Sequence, residues 1–307
     1  MLKAVLMREA VVVFADIVGC SEVSASTTVQ DYDYFIGQFQ GVAVETWQQV
    51  KEARQLKDCE AEFSVRGDEA LVVLHRNEYL DDPADAGYSA MAFEVPGDLM
   101  TCDALLFCTA LKFAWYQSPH NRSRYRLLIP PRELAIGASY GPMTHRVRED
   151  GKLRPEGFIL NITKRIEGEA RKGQQSHIFV TEPIYHWRFT GLAFMPSTSR
   201  DLRGFPPQRL FEVRNLSPQV FERLSHHLVL DCEFGSNVKD VVSFLRVCRA
   251  SESEWLKCMA AVMIAKDERI AKMAVGSLNV NDIPLDKPSE RDRYVAALGA
   301  LGLYLGA

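Results

Sequence analysis

Two carboxylates and one helix face hold the residues of this chain best suited to chemistry. Asp16 closes the apolar run Val11-Val12-Val13-Phe14-Ala15 and is followed by Ile17-Val18-Gly19-Cys20-Ser21. A buried strand is a rigid mount for an acid, and the amide groups of the small turn after it suit a phosphate. Asp68 sits in Arg66-Gly67-Asp68, between two β-rich stretches. If those strands flank the one that ends at Asp16, the two acids converge at one sheet edge. Paired carboxylates on rigid elements bind hard cations, which share their coordination with phosphate oxygens. Asn161 and Arg165, in Asn161-Ile162-Thr163-Lys164-Arg165, are i and i+4 and share one helix face. Asn can hydrogen-bond a sugar oxygen, and Arg can hold a phosphate oxygen as charge develops. Each piece alone has a plainer reading: a strand-ending Asp, a hairpin Asp, an ordinary polar helix face.

The elements that must position these residues follow from the hydrophobic pattern. Val11 to Asp16 reads as a buried strand. Ser21 to Thr28 reads as a loop, and Val29 to Arg54 as a long helix with Phe35, Phe39 and Val42 on one face. Cys59 to Val65 and Ala70 to Leu74 read as strands around the Asp68 turn. Asn77 to Gly97 is polar and reads as a loop; residues 77–100 are taken as an insertion. Thr101 to Gln117 reads as a second helix with Thr101 as its cap, and Ser118 to Arg126 as a loop. Leu134 to Tyr140 and Met143 to Arg148 read as strands split by a Gly141-Pro142 turn, with a further turn at Asp150-Gly151. Gly157 to Arg171 reads as a third helix. His177 to Val180, Gly191 to Met195 and Gln208 to Val213 are late strands. Strands alternating with helices imply an α/β (α+β) domain over residues 1–215. Residues 217–229, 237–250, 252–277 and 288–305 have helical character, so 216–307 reads as an α-helical C-terminal extension.

Composition narrows the class. Hydrophobic residues make up 47% of the 307 and charged residues 25%, which is ordinary for a soluble globular protein. A net charge of −4 gives no case for nucleic acid or an anionic membrane as partner. No apolar run reads as long enough to span a bilayer. The seven cysteines are odd in number and contain no CxxC pair, which signals neither a disulfide framework nor a zinc site and suggests a reducing cytoplasm. The histidines form no HxH or HExxH pattern, and His226-His227 reads as a helix surface.

Taken in order, the motifs resemble the catalytic domain of class III adenylate/guanylate cyclases. Phe14 to Ser21 matches that family's Phe-Ala-Asp-Ile-x-Gly-Phe-Thr segment, and Gly67-Asp68 its Gly-Asp turn. Ile136-Gly137-Ala138-Ser139-Tyr140-Gly141-Pro142 matches its Ile-Gly-x-x-x-Gly-Pro segment. Gly157 to Arg165 matches its Gly-x-x-Val-Asn-x-Ala-x-Arg helix, and Leu202-Arg203-Gly204-Phe205 its Leu-Lys-Gly-Phe segment. The resemblance covers residues 9–214 and implies a palm-type βαββαβ sheet flanked by helices. It further implies that Asp16, Asp68 and the Ile17 carbonyl bind two divalent metal ions, Mg²⁺ or Mn²⁺. Backbone amides of Val18, Gly19, Cys20 and Ser21 would cradle phosphates, with Arg203 in place of a triphosphate-binding Lys. Asn161 would orient the ribose and Arg165 would stabilise the transition state. Because the family builds each site from two subunits, a head-to-tail homodimer is implied.

The base is read from two positions. Adenine-specific members carry Lys and Asp, and guanine-specific members Glu and Cys, where this chain has Ser64 and Arg154. Arg donates to uracil's carbonyls and a Ser hydroxyl donates or accepts. Cytosine becomes the match if the register slips to Glu156. The departure from both purine codes resembles the pyrimidine cyclases of bacterial Pycsar antiphage systems. That implies UTP as substrate, cyclic UMP as product and a separate cyclic-nucleotide-binding effector. The alternatives are a cytidylate or purine cyclase, or a degenerate cyclase-fold regulatory module.

Overall fold

Alternation along the first strand sets the architecture. The structure is a computed structural model that describes residues 5–57, 61–75, 96–147, 153–186, 192–278, 282–285 and 288–305. In β1 (Val5–Ile17), Val11, Val13, Ala15 and Ile17 enter the main apolar cluster. Ala10, Val12 and Phe14 enter a smaller one on the opposite face. A period of two therefore places Asp16 on the second face. A hairpin of β2 (Ala61–Arg66) and β3 (Glu69–His75) lies on one side of β1, with Asp16 opposite Glu69. β4 (Leu134–Val147) lies antiparallel on the other side. β5 (Leu153–Glu156) folds back on β4, and β6 (Ile178–Thr181) joins β4 in parallel. β7 (Leu192–Phe194) and β8 (Thr198–Arg200) both pair with β9 (Gln208–Leu216). The order is β2-β3-β1-β4-β6-β9-β7.

Helices cover both faces. α1 (Cys20–Ser26) and α2 (Val29–Ala53) follow β1, and α3 (Pro96–Tyr116) and α4 (Pro119–Arg126) precede β4. β1-α2-β2-β3-α3-β4 is thus the expected βαββαβ unit within a mixed α/β fold. α2 is capped by Thr28, whose hydroxyl accepts from the Asp31 amide at 3.2 Å. Its buried residues Phe35, Phe39, Ala43, Trp47 and Val50 keep helical spacing. Each large one contributes about 1.5–3 kcal/mol by leaving water.

Several expectations are corrected. Ser21–Thr28 is mostly helix α1, and Ser118–Arg126 is helix α4, with Ser118 as its cap and Pro119 in its first turn. Helix α3 starts at Pro96, so Thr101 is buried inside it rather than capping it. Gly141-Pro142 makes no turn: β4 runs through it, and the missing Cβ of Gly141 leaves room for Ile159, 3.2 Å from where a Cβ would sit. The Asp150-Gly151 turn, Cys59 and most of the 77–100 insertion lie outside the described residues. The Leu99–Tyr116 stretch is, at mean hydropathy 1.2, long and apolar enough to cross a membrane, contrary to expectation, but 94% of it is buried inside the fold.

The short helix α6 (Glu182–His186) follows β6, and the remaining sequence after β9 forms α7 (Pro218–Leu224), α8 (Cys232–Ser236), α9 (Val238–Ala250), α10 (Glu254–Lys266), α11 (Glu268–Leu278) and α12 (Glu290–Ala300). The expected 252–277 helix breaks at Asp267, whose backbone is extended and whose carboxylate accepts from the Arg269 amide at 2.7 Å.

One close approach fixes the helix that matters most for the site. α5 (Phe158–Ala170) lies on the Asp16 face, burying Ile159, Ile162 and Ile166. A Cβ at Gly137 would stand 2.5 Å from the Glu167 amide nitrogen and 2.8 Å from the Thr163 carbonyl oxygen. Both are backbone atoms of α5 and cannot rotate away. Gly137→Ala is expected to cost about 3 kcal/mol and lower the melting temperature by roughly 5–10 °C, measured by thermal unfolding.

Candidate functional site

Asp16, the residue before the last of β1, is almost out of water, at 5% exposure. Its Oδ2 pairs with Lys164 Nζ at 3.0 Å and with Arg171 at 2.9 Å. Its Oδ1 is buried and has no hydrogen-bond partner. Lys164 also reaches Glu69 at 2.6 Å and Glu167 at 3.0 Å, and Arg171 reaches Glu167 at 3.0 Å. Burial is the main reason the Asp16 carboxyl is pushed up to about 6; Glu167 and Asp68 add to it and Lys164 opposes it. Burial works against the charge on Lys164, but Glu69, Glu167 and Asp16 outweigh it and hold the ammonium group protonated.

Asp68 occupies the second position of the β2–β3 turn, half-buried, beside the Asp16–Glu69 pair. Gly67 before it has φ +57°, which glycine adopts without strain. The charge of Asp68 acts on both Asp16 and Cys20, so the turn does bring the second carboxylate to the end of β1. Cys20 is raised to about 11, chiefly by burial, and its thiol lies 3.3 Å from the Tyr32 hydroxyl.

The loop between β1 and α1 is held in place by side chains that the sequence did not single out. Gly19 takes φ +72°. The Arg132 guanidinium donates to the carbonyls of Val18 at 3.0 Å and Gly19 at 2.8 Å. The Val18 amide donates to the Glu133 carbonyl at 2.9 Å, so it is not available to a phosphate, against expectation. Gly19, Cys20 and Ser21 remain at the first turn of α1, where helix amides are unpaired within the helix.

Asn161 and Arg165 both lie exposed on α5, and neither side chain has a hydrogen-bond or ion-pair partner among the described residues. Arg203 is exposed in a turn whose Leu202 and Phe205 pack into the apolar cluster under α5, Phe205 edge-on to Phe158 at 4.9 Å. Ser64 is on β2 opposite Leu71, on the α5 face. Arg154 is on β5 opposite Arg146. Ser64 and Arg154 thus stand on strands that do not pair with each other, β2 pairing with β3 and β5 with β4.

Glu69, Lys164, Glu167 and Arg171 were missed by sequence reasoning. The last three had a signal, since i, i+3 and i+7 form one helical stripe beside the Asn161/Arg165 stripe. Glu69 had only its place next to Asp68. Together, four carboxylates (Asp16, Asp68, Glu69 and Glu167) face two cations (Lys164 and Arg171). Excess negative charge, all-oxygen donors and an orphaned Oδ1 suit a hard divalent cation.

No family model matches the sequence, and no curated protein matches it. Solved structures do. The chain is similar to the crystal structure of the adenylyl cyclase CyaB from P. aeruginosa, with TM-score 0.51 at 15% identity over 70% of this chain and 97% of that one. It is also similar to the guanylyl cyclase Cya2, with TM-score 0.50 at 16% identity over 69% of this chain and 94% of that one. At such identities the likeness is one of fold, and it spans nearly the whole of the two cyclase structures. β1, the β2–β3 hairpin and α5 therefore assemble in the fold of those adenylyl and guanylyl cyclase structures.

Proposed function

We propose that the protein is a nucleotidyl cyclase that converts UTP to 3′,5′-cyclic UMP and pyrophosphate. The observation that carries this is the meeting of Asp16 and Asp68 at the end of β1, in a cyclase fold, beside a helix that leaves Asn161 and Arg165 exposed and unpartnered among the described residues. In the reaction the ribose 3′-oxygen attacks the α-phosphorus, the bond from that phosphorus to the β-phosphate breaks, and the hydroxyl loses its proton. Two divalent cations, Mg²⁺ or Mn²⁺, held by Asp16, Asp68 and the Ile17 carbonyl, would acidify the hydroxyl and neutralise phosphate charge. Amides of Gly19, Cys20 and Ser21 cradle phosphate oxygens, and Arg203 holds the triphosphate. Asn161 orients the ribose, and Arg165 takes up charge as it develops at the α-phosphate. Both face away from their own sheet, which suits a homodimer in which each site takes its acids from one subunit and this pair from the other.

Arg154 donating to a carbonyl and Ser64 donating or accepting fit uracil better than cytosine, which presents an amino group. In this reading the enzyme works in the cytoplasm as the signal generator of an antiphage system. Its product acts on a separate cyclic-nucleotide-binding effector. A second reading has one observation in its favour: Lys164 and Arg171 already occupy Asp16, as they would in a cyclase fold kept as a nucleotide-binding module.

Purified protein with Mn²⁺ or Mg²⁺ and each of ATP, GTP, CTP and UTP, read by mass spectrometry, tests both. Cyclic UMP alone supports the uridylate reading. A purine product keeps the cyclase and overturns the base assignment, and binding without turnover favours the module. Lys164 is a competitor for the metal in the cyclase reading. Lys164→Met is expected to lower the half-saturating Mn²⁺ concentration about fivefold, the equivalent of about 1 kcal/mol of repulsion removed, in a metal titration of turnover.

A further inference from the structure

Three residues far apart in the sequence meet on the α5 face of the sheet. Glu62 lies on β2 opposite Val73, His75 ends β3 opposite Ala10, and His145 lies on β4 opposite Leu6. His75 is 2% exposed and His145 is fully buried, while the Glu62 side chain is 31% exposed. His75 Nε2 is 3.0 Å from Glu62 Oε1, and His145 Nε2 is 3.3 Å from the same oxygen. One ligand atom from each residue lies within 4.8 Å of the others.

We propose that Glu62, His75 and His145 form a binding site for one zinc-class transition-metal ion, with a fourth coordination position open to solvent beside Glu62. Ligand atoms about 2.0–2.1 Å from a tetrahedral ion stand roughly 3.3–3.4 Å apart, close to the two separations seen here. Two imidazoles and one carboxylate select borderline ions such as Zn²⁺ over Mg²⁺. His145 Nε2 is buried and makes no well-aligned hydrogen bond, which is costly for a nitrogen without a ligand. Glu62 supplies the one carboxylate of the three, the anionic ligand of the set. The ion would be held by the Nε2 lone pairs of both imidazoles, each ring keeping its single proton on Nδ1.

The site is separate from the Asp16 carboxylates. His75 is opposite Ala10, and six residues of β1 from Ala10 to Asp16 span roughly 20 Å. Its donors also differ, nitrogen-rich here and all-oxygen there. The ion would clasp β2, β3 and β4 at the end of the sheet remote from Asp16. Binding to the folded chain alone would raise its stability.

The test uses full-length protein stripped with a chelator and titrated with Co²⁺, then with Zn²⁺ against a chromophoric chelator. The expected result is one ion per chain, with visible Co²⁺ bands of a four-coordinate site that Zn²⁺ abolishes. Glu62→Gln and His145→Gln are each expected to weaken Zn²⁺ binding about tenfold or more. Asp16→Asn leaves it unchanged. Glu62 is partly exposed, so if His145→Gln fails to fold, Glu62→Gln decides. Absence of Zn²⁺ binding tighter than about 100 μM, equal binding by Glu62→Gln, or loss of binding in Asp16→Asn instead would each overturn the proposal. Nucleotide turnover enters none of these readouts.

Discussion

Asp16→Asn protein is expected to lose nucleotide turnover by roughly 10²–10³-fold or more, and to regain it when mixed with an equally inactive Arg165→Ala protein. The first loss follows from Asp16 being the most buried carboxylate of its cluster bar Glu167, and the one with an orphaned oxygen. An amide cannot supply the negative charge that a hard cation needs. The fold should survive, because Lys164 keeps Glu69 and Glu167 and Arg171 keeps Glu167. The recovery follows from geometry. Arg165 is exposed on α5 and has no partner among the described residues, so it is free to serve another subunit's acids. In a random mixture about half the dimers are mixed, and each mixed dimer has one site with an intact Asp16 and an intact Arg165. Activity should therefore return to at most about a quarter of the wild-type level. Turnover assays of each variant and of the mixture, with melting temperatures alongside, check this. Recovery would fail if both residues act within one chain.

The parts legible in the sequence were those written as local pattern. The β1 run, the α2 stripe and the Asn161/Arg165 spacing needed only strand and helix periods, and the structure has those elements. Legibility ended where a residue's partner lies in a distant segment. Asp16 pairs with Lys164 and Arg171, and no window around Asp16 contains either. Glu62, His75 and His145 are on three different strands, so no HxH-type spacing could announce them. Short helices were also misread. In α1 and α4 the polar residues looked like loops, because Ser, Thr and Asn favour caps and turns. Ser118 does act as a cap, but of a helix that continues to Arg126. Gly141-Pro142 failed for the opposite reason. A turn signal was overridden by the long pairing of β4 with β1.

Removing residues 217–307 is expected to leave a fragment that does not fold, although the carboxylates and α5 all lie before the cut. β9 depends on the helices beyond it. The Tyr294 hydroxyl donates to the Leu216 carbonyl at 3.0 Å, and Asn215 and Arg214 reach Glu254 at 2.6 and 2.5 Å. α10 buries Trp255, Leu256 and every residue from Cys258 to Ala265, and it packs on β9. α9 packs on α4, with Phe244 4.9 Å from Tyr125 and the buried Asp240 held by two Arg126 nitrogens. Gln117, at the end of α3, donates to the Val229 carbonyl and accepts from the Asp231 amide. These residues share one apolar cluster with β1, α2 and α3, so the cut passes through a core rather than between two. Losing half a dozen large buried side chains at about 1.5–3 kcal/mol each removes on the order of 10 kcal/mol, comparable with the whole stability of a typical domain. The fragment should be insoluble or aggregated by size-exclusion chromatography, where the full chain is monodisperse. Arg126→Ala is the graded version: it strands the buried Asp240 carboxylate and should lower the melting temperature without changing the nucleotide product. A monodisperse fragment 1–216 with a cooperative thermal transition would show instead that the cyclase fold stands alone and that the C-terminal helices are an accessory to it.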